Sequence, residues 1–402
     1  MATMIAPAEA DATQAPDAAL LPVYRRPPME FVRGAGIELF DAEGRAYLDF
    51  TSGIAVNALG YGDPGLAAAM HEAAEGLVHV SNLFRTRPGE ELARRLVERT
   101  FADRVFFCNS GAEANEGAFK FARRWARSTG DAARHEIVAL RGSFHGRLFG
   151  TLAATDKPGY RLPFHPLAGG FTIVERDLDE LKAALSHGTV AAVILEPVQG
   201  ESGVRVMDGG FLRGVRELTR EHGALLILDE VQCGLGRTGR FLACEHSGVE
   251  PDIVTLAKPL AGGLPMGAIL MTEQVAAAVQ PGDHGSTFGG GPFVASVANH
   301  VVDRVSDPAL LAHVTDTGRW LGEALRSLAQ RTERVRAVRG IGFMWGVDVH
   351  ESAGQVIARA RDLGLLLVSA GEHTIRLLPP LVATQEELER GLGLLEQALE
   401  GA

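Results

Sequence analysis

At 402 residues the chain is two to three times the length of a typical domain, which excludes a single minimal module. Its 39 Lys and Arg against 50 Asp and Glu leave a formal charge of −11, which argues against nucleic acid or an anionic membrane surface as the main partner. With 46% hydrophobic and 22% charged residues, the composition is that of a folded protein and not of a disordered one.

Residues 1 to 20 are rich in Ala, Asp and Pro and hold little that could be buried to offset the entropy of ordering, so they read as a disordered tail. The first basic residue is Arg25, and the charged and apolar regions of an export signal are missing ahead of it. Cys108, Cys233 and Cys244 are odd in number and irregularly spaced, which gives neither a disulfide framework nor a metal motif. Both features predict a cytoplasmic protein, and no stretch reads as the ~20 apolar residues that would cross a bilayer. His71-Glu72-Ala73-Ala74-Glu75 is similar to a zinc-protease helix, but Glu75 stands where the second histidine ligand belongs.

From Arg104 onward short apolar runs alternate with longer helical patterns. Val105–Phe107, Ile137–Leu140, Ala191–Leu195, Leu225–Leu228, Ile253–Leu256 and Ala268–Met271 read as buried strands. Ala114, Ala118, Phe121, Ala122 and Trp125 repeat at helical spacing between the first two. Continuous rather than alternating apolar strands predict an α/β fold with a mostly parallel sheet covered on both faces. Gly234-Leu235-Gly236-Arg237-Thr238-Gly239 fits a dinucleotide fingerprint in spacing, but Asp229-Glu230-Val231-Gln232 intervenes after the strand and no helical pattern follows before Pro251. After about residue 295 a long helical region precedes a strand over Ile341–Val349, a helix closing at Gly364, and short strands over Leu365–Val368 and Thr374–Leu377, which predicts a second α/β domain. Thr384 and Glu387 form a capping-box pattern at the start of the last helix.

Polar residues gather at the predicted strand ends, where open α/β sheets bind ligands. Cys108-Asn109-Ser110-Gly111-Ala112-Glu113 turns a strand into a helix whose first amides suit an anion, and Ser110 as an ordinary N-cap is the plainer reading. Asp229 closes Ala224-Leu225-Leu226-Ile227-Leu228 as a carboxylate with little solvent around it, and needs a cationic partner. The next strand runs toward Lys258-Pro259, with small residues clearing space around the amine as a Schiff-base lysine requires. A simple Asp229–Lys258 ion pair is the alternative.

The ordered motifs Ser110-Gly111-Ala112-Glu113-Ala114-Asn115-Glu116, Ser143-Phe144-His145-Gly146-Arg147, Leu228-Asp229-Glu230-Val231-Gln232, Gly234 to Gly239 and Gly285-Ser286-Thr287-Phe288-Gly289-Gly290 resemble the class III, pyridoxal-phosphate-dependent aminotransferases. Thr51 to Gly60 is most similar to the acetylornithine aminotransferases of that class. The resemblance implies fold type I of the pyridoxal-phosphate transferases, with an N-terminal segment (21–70) packing on the small domain, a large cofactor-binding domain (71–295) and a small C-terminal domain (296–402). Lys258 would carry the cofactor and move the proton, and Asp229 would hold the pyridine nitrogen protonated. Phe144 would stack on the ring, Gln232 would bond its phenolic oxygen, and Ser110, Gly111 and Ala112 would hold the phosphate, with Glu230 and Val231 beside it. Two departures from the family pattern are Ala112, where threonine is frequent, and Gly291, where asparagine is common.

The class also implies a homodimer with shared sites, Thr287 reaching the neighbour's phosphate. Arg147, with Ser286, would hold the α-carboxylate of an acetylornithine-like donor, and Arg376 that of 2-oxoglutarate or glutamate; guanidinium suits both. Glu196 would pair with Arg376 when no dicarboxylate is bound. The implied reaction moves the distal amine of N-acetylornithine to 2-oxoglutarate, with ornithine, succinylornithine, 4-aminobutyrate or a lysine-pathway donor as alternatives.

Overall fold

The computed structural model describes residues 19–131 and 133–401, so the tail expected over 1–20 lies almost wholly outside the described residues. Seven strands form the central sheet in the order Arg104–Cys108, Gly267–Met271, Ile253–Leu256, Leu225–Asp229, Val190–Leu195, Glu136–Leu140, Phe171–Val174. All neighbours run parallel except Gly267–Met271, which is antiparallel to both of its own. The α/β sheet is therefore mostly parallel, as the apolar runs predict.

Side chains of a strand alternate between faces, and here both faces are apolar. Leu226, Leu228, Val254 and Leu256 belong to one core cluster, while Leu225, Ile227 and Ile253 belong to another. Helix Gly111–Ser128 closes the second face with Ala114, Ala118, Phe121, Ala122 and Trp125, and Leu181, Leu185, Leu212 and Val215 of two further helices join the first cluster. The strand Phe171–Val174 is absent from the sequence reading because it is a half-buried edge strand without a continuous apolar run.

In the C-terminal part the strand expected over Ile341–Val349 is instead a hairpin of Val335–Ile341 and Met344–Val349. Gly342 makes the turn with φ of +56°, and a Cβ there would stand 2.6 Å from the Arg237 carbonyl. The strand expected over Leu365–Val368 is two pieces in two sheets. Leu365–Leu366 pairs in parallel with Ala46–Asp49, whereas Val368–Ser369 pairs antiparallel with Thr374–Leu377. The N-terminal strands Phe31–Ala35, Glu38–Asp41 and Ala46–Asp49 are thus tied to the C-terminal part, and Leu378 N–H donates to the Phe50 carbonyl at 2.7 Å. The final helix, Gln385–Glu400, carries the capping box between Thr384 and Glu387. His71 and Glu75 meet only as an exposed pair one helical turn apart.

Candidate active site

The carboxyl ends of the central strands open on a cavity of about 400 Å³ whose lining includes Ser110, Gly111, Ala112, Phe144, Arg147, Glu196, Asp229, Val231, Gln232 and Lys258. Asp229 ends its strand beside Thr255 of the next, and its carboxylate is held from three sides. Asn115 Nδ2 donates to Oδ2 at 2.7 Å, His145 Nδ1 lies 2.8 Å from the same oxygen, and Val231 N–H donates to Oδ1 at 3.0 Å. Asn115 is fixed in turn by the Thr255 hydroxyl, 2.7 Å from its Oδ1. Asp229 makes no ion pair with Lys258, so the simple salt bridge is not the answer among the described residues. The sequence reading missed Asn115 and His145 as site residues, although Asn115 lies one helical turn beyond Gly111 and therefore on the same face.

Lys258 follows the adjoining strand with φ of +38°, a left-handed conformation that a residue with a Cβ rarely adopts. Burial pushes its amine pKa down, against the opposing pull of Asp229. Ser110 caps the helix Gly111–Ser128 by accepting from Glu113 N–H at 3.2 Å. Gly111 and Val231 both line the cavity, and a Cβ on Gly111 would lie 2.7 Å from Val231 Cγ1, so this position has no room for a side chain.

Glu230 differs from expectation. It is buried but does not line the cavity; its carboxylate accepts from the Ala243 and Cys244 amides at 2.5 and 2.8 Å, and burial pushes its pKa up to about 7. The physical reason is alternation: Asp229 faces the ligand side, so its successor faces the opposite way.

The two arginines are held differently. Arg147 is exposed, lines the cavity and makes no ion pair among the described residues. Arg376 is only 2% exposed. Its Nη1 donates to Glu201 Oε1 at 2.6 Å, Gln232 Oε1 at 3.0 Å and the Gly200 carbonyl at 3.1 Å, while its Nε has no partner. The expected Glu196–Arg376 pair is replaced by Glu201. Glu196 instead accepts from Phe144 N–H at 2.9 Å, and burial, reinforced by Asp229, drives its pKa well above the usual carboxylate range. A carboxyl so placed is a poor counter-ion. Glu201 is also pushed up by burial, but the Arg376 charge outweighs this and holds it below the usual range.

Ser286 and Thr287 lie outside this cavity, in a separate concavity of about 940 Å³ with Asn82, Leu83 and Phe84. Ser286 Oγ is 3.2 Å from Asn109 Nδ2, and Thr287 is exposed.

The sequence matches the family model described as aminotransferase class-III over residues 22–399. It is 46% identical over 385 residues to the mitochondrial acetylornithine aminotransferase of Alnus glutinosa, covering 94% of this chain and 85% of the relative. The fold is similar to that of N-acetylornithine aminotransferase from Stenotrophomonas maltophilia, with a TM-score of 0.83 at 39% identity over 94% and 97% of the two chains. It is also similar to that of ornithine aminotransferase from Toxoplasma gondii, with a TM-score of 0.91 at 31% identity over 95% and 93%. A match that spans the whole α/β core, together with an aspartate and a lysine at adjoining strand ends, makes the chain a member of the class III aminotransferases.

Proposed function

We propose that the chain transfers the distal amino group of N-acetylornithine to 2-oxoglutarate, giving N-acetylglutamate semialdehyde and glutamate, a step of arginine biosynthesis. The observation that carries this reading is Arg147, a cation without an ion partner in the cavity that also holds Lys258 and Asp229. It suits a donor whose carboxylate lies away from its reacting amine. The relatives named acetylornithine aminotransferases support the same choice.

Pyridoxal phosphate is the cofactor of this class, and the donor set fits it. A carboxylate already oriented by three hydrogen bonds faces the cavity, an amine with its pKa lowered by burial stands just past the end of the next strand, and capped helix amides supply an anion site. When bound, the cofactor supplies an electron sink for the bond broken at the substrate carbon. Asp229 would keep a proton on the pyridine nitrogen, held in place by Asn115 and His145. Phe144 would cover the ring face, Gln232 would face its phenolic oxygen, and Ser110, Gly111 and Ala112 would hold the phosphate. Lys258 Nζ would take the proton from the carbon bearing the reacting amine and return it at the other end of the reaction. Arg147 would bind the donor carboxylate, and Arg376 that of 2-oxoglutarate after displacing Glu201.

Two chains would share their sites as a homodimer, each Ser286-Thr287 loop reaching the phosphate in its partner. Exposed Leu83, Phe84 and Phe288 around that loop support the reading, since a partner would cover them. The proposed division into 21–70, 71–295 and 296–402 rests on the pairing of Ala46–Asp49 with Leu365–Leu366, and a cytoplasmic site on three free, buried cysteines. Single-turnover mixing of the holoenzyme with N-acetylornithine, ornithine, succinylornithine and 4-aminobutyrate tests the assignment: N-acetylornithine should convert the cofactor fastest, and a faster rate with another donor would replace it.

A further inference from the structure

The guanidinium of Arg147 is held by aromatic faces. Its Cζ lies 3.6 Å from the centroid of Tyr160 and 5.9 Å from that of Phe144. The two rings meet edge to face, with centroids 6.3 Å apart and planes at 83°. Tyr160 sits in the short helix Pro158–Arg161, is half-buried and stands outside the cavity lining, behind Arg147. Its backbone N–H donates to the Lys157 carbonyl at 2.9 Å, and Lys157 Nζ donates to the Glu201 carbonyl at 2.8 Å, so the platform is anchored to the same loop that holds Arg376.

A guanidinium stacked on a ring is attracted through its face and spends no N–H on the contact, which leaves its edge donors for a planar anion. An arginine free in solvent would lose much rotamer freedom when a carboxylate fixed it. A stacked one has lost part of that freedom already.

We infer that Tyr160 is a positioning residue that sets the preference of the cavity for carboxylate-bearing donors by holding Arg147 ready for the carboxylate. The inference rests on the reading of Arg147 given under the proposed function. Tyr160 is not part of the cavity lining and would act only through Arg147.

The test uses the holoenzyme and two donors, N-acetylornithine and N-acetylputrescine, the second being the first without its carboxylate. Stopped-flow absorbance gives a dissociation constant and a saturating rate for each. The wild type should bind N-acetylornithine more tightly; equal binding would remove the carboxylate role of Arg147 itself, a failure separate from that of Tyr160. Tyr160→Leu should weaken N-acetylornithine about 3- to 30-fold, with N-acetylputrescine and both saturating rates unchanged, and Tyr160→Phe should restore the wild-type value. Weakening of both donors alike would make Tyr160 a packing residue and overturn the inference. Should the leucine variant not fold, phenylalanine analogues at position 160 with one, two and three ring fluorines keep the shape while draining the ring face. Affinity for N-acetylornithine should then fall stepwise, and a flat series would overturn the proposal.

Discussion

Arg147, in the cavity wall, and Arg376, bonded to Gln232 of that wall, carry the same charge under opposite conditions. Arg147 is exposed, rests on Tyr160 and has no counter-ion among the described residues, whereas Arg376 is buried and already bonded to Glu201, Gln232 and Gly200. A carboxylate arriving at Arg147 gains a charge-assisted bond and displaces only water. One arriving at Arg376 must take Nη1 from Glu201 or use the free Nε, so its gain is the difference between two anions. On the proposed roles, the contrast teaches that the Arg147 site would receive an anion at any time and the Arg376 site would exchange one.

The largest effect belongs to the residue both arginines serve. Lys258→Ala should lower both half-reactions by about 10⁴-fold or more, and borohydride reduction of wild type should place the pyridoxyl label on Lys258. A label elsewhere would break the shared-centre premise. Arg376→Ala should separate the arginines: return of the aminated cofactor with 2-oxoglutarate should slow roughly 30- to 1000-fold, while the forward half with N-acetylornithine changes little. Equal slowing of both halves would mean that Arg376 supports the pocket as a whole. Arg147→Ala should instead slow both halves, about 10- to 100-fold, because the same guanidinium would meet the donor's α-carboxylate in one and the acceptor's far carboxylate in the other. If only one half responds, Arg147 does not serve both substrates.

The meeting of Asp229 and Lys258 in one cavity was legible in the sequence because Asp229 ends an unbroken apolar run and Lys258 follows closely on another; a charge at the end of a buried strand has few structural uses. The face of Glu230 was misread, because the motif reads as a block although strand alternation turns this residue from the ligand side. Other features depend on distances that spacing does not encode. Glu196 and Glu201 both follow the same strand, and nothing local says that Glu201 meets a guanidinium contributed 175 residues later. Lys157-Pro158-Gly159-Tyr160 reads only as a turn, so the platform beneath Arg147 left no periodic signal. Gly340-Ile341-Gly342 punctuates the C-terminal run, but the single strand expected over Ile341–Val349 ignored that signal and the structure has a hairpin there.

The smallest expected effect probes the contrast directly, by making Arg376 resemble Arg147. Glu201→Gln keeps the length and a carbonyl acceptor for Nη1 but removes the charge that competes with an incoming carboxylate. The KM for 2-oxoglutarate should fall about 3- to 10-fold, the difference between a charged and a neutral hydrogen-bond partner. The forward half-reaction should be unaltered. Stability should move the other way, because Arg376 would then be a buried cation without its counter-ion. The thermal midpoint of the variant should therefore drop in the absence of acceptor and recover when 2-oxoglutarate is added. A KM that stays constant or rises would show that Glu201 is part of the wall that shapes the site rather than the anion that the substrate displaces, and the proposed exchange at Arg376 would fall.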